Sequence, residues 1–288
     1  MQVLVISTFT LGLLVALQAV AFVIVIRGTG VLNFAQGSVL ALGAYLVLTV
    51  ELRLGIPPLP AIAAMLVLMG VLGVVLYVVL LRRLQGAPVW AVLVSLFGLD
   101  AILIGAIQAI WGTTDQYLVP LAARQRVVLP GGLPTDVQDI IVSAMALGAL
   151  ALVLALVYRT PLGLRMRASA DAPDLASYAG ISVRRVGAIS WALSLALAGL
   201  AGTSIAVRSS LTPELSAVFL TAFPAVLIGG LESILGAVVG SFLLALILTT
   251  GVVLFGSETA LPLAYGMLLV VLIVRPYGLF GARDIVRV

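Results

Sequence analysis

TPLGLRMRASADAPDLASYAGISVRRVGAI, residues 160–189, is the long charged interruption in an otherwise apolar chain. It holds Arg165, Arg167, Asp171, Asp174, Arg184 and Arg185, and Arg159 stands just before it. The apolar runs on either side are therefore separate segments, and the chain divides outward from this point. The stretch carries the punctuation of a short helix. Asp171 can serve as N-cap, Pro173 fits the first turn, and Asp174 follows the cap by three residues. Gly180 stands where a left-handed residue would end the helix. Residues 172–179 would extend about 12 Å at 1.5 Å per residue. Leu175, Tyr178 and Ala179 fall at i, i+3 and i+4 and share a face. Such a helix either docks on a cytoplasmic partner or rests on the bilayer surface as an ordinary amphipathic loop helix. The residues alone leave both readings open.

Of the 288 residues, 63% are hydrophobic and 9% charged, and the mean hydropathy is +1.30. A soluble domain carries about 25% charged residues. The expected fold class is therefore all-α: a polytopic membrane protein with about eight transmembrane helices of roughly 20 residues each. No linker divides the chain, so residues 1–288 read as a single transmembrane domain. The net charge of +4 rests on arginine alone. That balance suits positive cytoplasmic loops and anionic lipid better than nucleic acid.

The chain lacks Cys, His and Lys. This removes disulfides, thiolate and imidazole metal sites, Ser-His and Cys-His nucleophile pairs, Schiff-base lysines and the P-loop lysine. Its acids are sparse and fall mostly in loops, so an enzyme is not expected, nor a cofactor or metal of its own. The N-terminal apolar run has no basic region before it and no small-residue cleavage signal, so it reads as a retained first span.

In order, span one covers residues 3–26 and ends at Arg27. Residues 28–50, GTGVLNFAQGSVLALGAYLVLTV, pass from glycines and polar residues into a fully apolar run. On a helix Asn33 and Gln36 would share a face, and Gly37 and Gly43 would permit close helix approach. The amides either bond neighbouring helices or face a translocation path from a half-broken segment. Span three covers 59–81 and ends at Arg82 and Arg83; span four covers 89–110 with Asp100 near its centre. A carboxylate there costs roughly 2.5–3.5 kcal/mol on insertion scales, so it should face protein or water. Residues 111–136 form a polar loop with Trp111, Tyr117 and PGGLP at 130–134, expected at the membrane surface. Span five covers 137–158 and span six 186–207, the latter with a small-residue face around Gly199 and Gly202. Pro224, Gly229, Gly230, Glu232 and Ser233 then break the apolar run into a short span at 216–231 and a second at 234–255. Discontinuous helices of this kind often lie beside a transporter's substrate path. Gly236-x-x-x-Gly240 fits helix packing equally well. A last span at 260–274 leads to a tail with Arg275, Arg283 and Arg287.

The arginine bias orients the chain. Arg27, Arg82, Arg83, the 159–185 cluster and the tail belong in the cytoplasm, which puts the N-terminus outside and the C-terminus inside. Arg124 and Arg126 run against the bias. Residues 30–46 and 230–246 share a faint likeness, each passing from Gly through polar residues into a small-residue helix.

GVLNFAQGSVLALGAYL, LGLRMRASADAPDLASYAGISVRRVGAISWALSLALAGLAG, AFPAVLIGGLESILGAVVGSFLLAL and RPYGLFG together resemble the branched-chain amino-acid ABC transporter permeases of the LivH type. The resemblance covers nearly the whole chain, in order and at similar spacing. It implies an inner-membrane permease subunit that works by alternating access. It implies partners: a second related permease, two cytoplasmic ATPase subunits that bind ATP and Mg, and an extracytoplasmic substrate-binding protein. The family's coupling loop falls on residues 167–181, so Arg167, Asp171, Asp174, Leu175, Tyr178 and Gly180 are the expected ATPase-coupling residues. Asn33, Gln36, Gly37, Asp100, Gly229, Gly230 and Glu232 are the expected substrate-path residues. Asp100 and Glu232 depart from the family pattern, which commonly shows Gly at the latter. Members carry leucine, isoleucine or valine, and others carry urea, short amides or organic acids. An ion-coupled secondary transporter would need more intramembrane charge than Asp100 supplies.

Overall fold

The computed structural model describes residues 2–122, 125–129 and 133–281. Arg124, residues 130–132 of the PGGLP stretch, Arg283 and Arg287 lie outside these. Helix α1, Gln2–Thr29, is apolar on every side and forms the centre of the bundle. Nearly every side chain from Leu13 to Ile26 is buried, as expected of a helix without a polar face. Around it stand α2 (Gln36–Leu54), α3 (Pro58–Val79), α4 (Val89–Trp111), α5 (Val137–Arg159), α8 (Val183–Ala206), α10 (Ile234–Phe255) and α11 (Ala260–Val274). With α1 these make eight helices, among the described residues, long and apolar enough to cross a membrane. Three shorter helices complete the set: α6 (Pro161–Asp171), α7 (Pro173–Tyr178) and α9 (Val218–Gly229).

Glycines set how closely the inner helices approach. A Cβ on Gly43 would meet the Cα of Gly199, and a Cβ on Gly202 would meet the Leu40 carbonyl. The small-residue face expected on α8 is therefore where α2 crosses it, backbone against backbone. Gly236 and Gly240 pack α10 against Gly229 and Ala225 of α9, so this pair is a packing motif. The outer helices α3, α4 and α11 leave Val67, Val71, Val94, Ile102, Leu269 and Ile273 exposed. Apolar surface on that scale suits a hydrocarbon surround. The protein is a multi-pass membrane protein.

The two ends of the bundle differ. At one end the loop after α4 forms an antiparallel hairpin, β1 (Arg126–Leu129) and β2 (Leu133–Asp136). The sequence reading had no strand here. Gln116 bridges to Leu211, and Arg208 pairs with Asp139 at 2.8 Å; both contacts tie the end of α8 to this hairpin end. The other end gathers Arg27, the 3-10 turn Leu81–Leu84 with Arg82 and Arg83, and helices α6 and α7.

The segment after α8 crosses between these ends. It leaves the hairpin end at Leu211, which bridges to Gln116, and passes through a 3-10 turn, Pro213–Ala217, whose Ser216 carbonyl lies against Gly37 at the start of α2. It closes at Glu232 and Ser233, which share a cavity with Arg27 at the arginine-rich end. Helix α9 has 12 residues, about 18 Å at 1.5 Å each, too short to span hydrocarbon as an isolated helix. Packed on α1, α10 and α11, it falls within the short span that the sequence places at 216–231.

Candidate transport path and docking helices

The charged stretch holds two helices where one was expected. Thr160 caps α6 by accepting the Leu162 N–H, and Pro161 occupies the first turn. Helix α6 runs through Arg167 to Asp171, so Asp171 ends a helix instead of capping the next. The break falls at Ala172, which is extended at φ −149° and ψ 79° and caps α7 without a side-chain bond. The cause is Pro173, whose ring disfavours helical geometry in the residue before it. Asp174 sits in the first turn of α7, where a carboxylate complements the helix dipole.

Gly180 ends α7 at φ +80°. The Gly180 N–H donates to the Ser177 carbonyl at 3.0 Å, and the Ile181 N–H to the Ala176 carbonyl at 2.9 Å. This is the Schellman pattern that a left-handed glycine permits. Ala176 faces inward at 4% exposure, while Leu175 and Tyr178 stand out at 69% and 88%. Leu164 of α6 is exposed as well, and the sequence reading missed it because the TPLGL stretch was taken as loop. Arg167, Asp171 and Asp174 are exposed beside this apolar pair.

The second feature is the break between α1 and α2. Gly30 turns the chain at φ +68°, and residues 31–35 are not helical. Asn33 thus precedes the helix that the sequence reading placed it on. Its side chain accepts the Ala35 N–H at 3.1 Å and donates to the Gln36 side-chain oxygen at 2.8 Å. An Asn that bonds backbone two residues on competes with helix formation. Gln36 in turn donates to the Ser194 hydroxyl at 3.3 Å, and Ser194 lies half-way along α8. Both amides are fully buried. They fasten the start of α2 at mid-depth, where irregular backbone is tolerated only inside protein or beside a cavity. Gly37 packs against the Ser216 carbonyl.

Glycine also governs the third feature, the α9–α10 turn. Gly230 adopts φ +104°, and Ser233 caps α10 by accepting the Gly236 N–H at 2.9 Å. The RPYGLFG segment, residues 275–281, closes over this turn. The Leu279 N–H donates to the Ile228 carbonyl at 2.8 Å and the Phe280 N–H to the Gly229 carbonyl at 3.1 Å. The tail thereby satisfies carbonyls that the end of α9 leaves open, a role its sequence did not reveal.

Two cavities flank Gly30. One, of about 670 Å³, is walled by residues 28–32, by Tyr77, Leu84 and Val92, and by Ser169, Pro173, Asp174 and Ser177. The other, of about 380 Å³, is lined by Arg27, Arg167, Asp171, Glu232 and Phe280 among others. The structure thus joins Glu232 from the expected path to Arg167 and Asp171 from the expected coupling set. Asp100 stands apart. It lies half-buried on the inward stripe of α4 with Leu96, Leu103 and Ile107, and one turn away Phe97 stacks on Phe34 with centroids 4.8 Å apart. Gln18 was not singled out by sequence, yet it is 1% exposed and neither of its amide atoms is bonded. At the hairpin end, the exposed Glu214 is held below the usual carboxylate range by its own backbone N–H and by the Thr212 hydroxyl.

Broken helices packed inside an apolar bundle, with a polar-capped helix pair at one end, define a membrane transport subunit. Residues 4–274 match the family described as the permease component of branched-chain amino acid transport systems, and the chain belongs to that family. It is 29% identical to the probable branched-chain amino acid transport permease LivH of Methanocaldococcus jannaschii, over 93% of this chain and 89% of that protein. It is 25% identical to the high-affinity branched-chain amino acid permease BraD of Pseudomonas aeruginosa, over 98% and 96%. It is 26% identical to LivH of Escherichia coli, over 97% and 95%.

Proposed function

We propose that this chain is a permease subunit of an ABC importer that moves branched-chain or related amino acids across the cell inner membrane. It works beside a second related permease, two cytoplasmic ATPase subunits and an extracytoplasmic binding protein, and the ATPases bind the ATP and Mg. Arginine bias puts the α6–α7 end in the cytoplasm, so the N-terminus lies outside and the C-terminus inside. The observation that carries the reading is α7 itself. Leu175 and Tyr178 are exposed on a helix fixed at both ends by Pro173 and Gly180. A rigid apolar knob among charges is built to seat in a partner's cleft.

In the cycle, closure of the ATPase pair pulls on α6 and α7. These border both cavities beside Gly30, so the pull reaches the α1–α2 break and the α9–α10 turn. Asn33, Gln36 and Gly37 keep the first break in register, and Gly229 and Gly230 shape the second. Asp100 lies one turn from Phe97, which stacks on Phe34 of the first break, and the two flank the path proposed for an apolar amino acid. Tyr178→Glu places a charge on the apolar knob. It is expected to lower co-purification of the ATPases at least about tenfold, the scale of a lost interface anchor, while the permease still folds. Undiminished ATPase capture and uptake by this variant would refute the docking role.

A further inference from the structure

The cavity of about 380 Å³ between α1, α6 and the α9–α10 turn is lined by charges of both signs. Arg27 comes from the end of α1, Arg167 and Asp171 from α6, and Glu232 from the turn. Among the described residues the ion pair is Arg208–Asp139, so these four charges form no ion pair with one another. Arg27 Nη1 is buried without a hydrogen-bond partner, and its guanidinium lies 6.0 Å from the Tyr158 ring centroid. A buried guanidinium N–H left unmet is costly, and Arg27 also contributes to the cavity wall. Ile26 and Phe280 supply apolar wall.

We propose that this cavity is a cytoplasm-side binding site for an α-amino acid zwitterion with an aliphatic side chain. The ligand's carboxylate is met by Arg27 and Arg167 through charge-assisted hydrogen bonds. Its ammonium is met by Asp171 and Glu232, and its side chain lies on Ile26 and Phe280. Three scaffold elements, α1, α6 and the α9–α10 turn, bring charges of both signs to one cavity, and a molecule with an ammonium and a carboxylate on one carbon bridges them. The volume falls within the roughly 300–1,000 Å³ of small-molecule sites. A bound amino acid ties α6, and α7 with it, to the α9–α10 turn. The assignment rests on the importer reading and adds to it a site where imported amino acid acts back on the transporter.

The test is equilibrium binding of radiolabelled L-leucine to the permease complex, purified with its ATPases and without the binding protein. Two analogues probe the charges: 4-methylpentanoate lacks the ammonium and 3-methylbutylamine lacks the carboxylate. Saturable binding is expected, with each analogue competing at least about tenfold more weakly than leucine, the scale of one lost charge-assisted hydrogen bond. Arg167→Gln and Glu232→Gln should each weaken binding by a similar factor, and Ala170→Trp, which fills the cavity, should abolish it. Arg83→Gln, outside the cavity, should leave it unchanged. A monodisperse size-exclusion profile and an unchanged unfolding temperature in detergent show that each variant is folded. No leucine binding in a complex that performs ATP-driven uptake once its binding protein is restored overturns this assignment alone, as does binding insensitive to all three cavity variants. A complex incapable of ATP-driven uptake with the binding protein restored overturns the importer reading and this site with it.

Discussion

Gly43 and Gly199 let α2 and α8 cross backbone to backbone, because a Cβ on either would strike its neighbour. Gly43→Val should therefore cost at least about 1–3 kcal/mol, the range of core overpacking, read as a lower unfolding temperature in detergent. Gln18 sits at the other extreme, buried in α1 with no partner for its amide. Gln18→Leu removes that unmet demand and should stabilise the fold by about 1–3 kcal/mol; a loss of stability would show that the amide is satisfied. At this scale the sequence was informative about residue type and poor on geometry. The close-packed glycines of α8 were legible as a small-residue face. The Asn33–Gln36 pair was legible as polar, but its spacing of three suggested a shared helix face. In fact Asn33 bonds the Ala35 backbone and lies before the helix. Whether a short polar side chain bonds its own backbone or a neighbour depends on packing that spacing does not encode.

Elements were legible where proline and glycine act locally. Pro173 and Gly180 marked α7, and the glycine prediction held through its Schellman bonds. Helix α6 was not foreseen because arginines inside TPLGLRMRASAD read as loop charge, although Thr160–Pro161 is a helix start. Asp171 was assigned as a cap by residue type alone; Pro173 decides the break by acting on Ala172. The hairpin β1–β2 was missed because a surface loop after a span gives no strand periodicity of useful length. RPYGLFG shows how tertiary need shapes a tail: Gly278 holds φ +78° and a Cβ there would meet the Leu227 carbonyl. Gly278→Val should detach the segment from the α9–α10 turn. The expected result is protease cleavage within 275–281 at least about tenfold faster than in the parent, the equivalent of about 1.4 kcal/mol of local stability. Unchanged cleavage would mean that the segment is held by something other than this contact.

Across the whole molecule, eight long apolar helices among the described residues accompany the short α9. The short span at 216–231 was legible from the proline and glycines that bound it, and the backbone of α9 within it is sheltered by α1, α10 and α11. The orientation proposed from the arginine bias puts the termini on opposite faces, so tags at the two ends should be reached by impermeant reagents from opposite faces, the N-terminal one from outside; labelling of both from one face would contradict it. The family match over residues 4–274 and the exposed face of α7 meet in one claim, that this chain takes its power stroke from separate ATPases through Leu175 and Tyr178. The chain contains no cysteine, so Leu175→Cys introduces a single thiol. The most direct test is to co-express that variant with the candidate ATPases carrying one cysteine in their cleft and to form the disulfide with and without ATP. A crosslink whose yield changes with ATP is the predicted result. Absence of any crosslink, with no ATPase retained on the purified permease, would contradict the account.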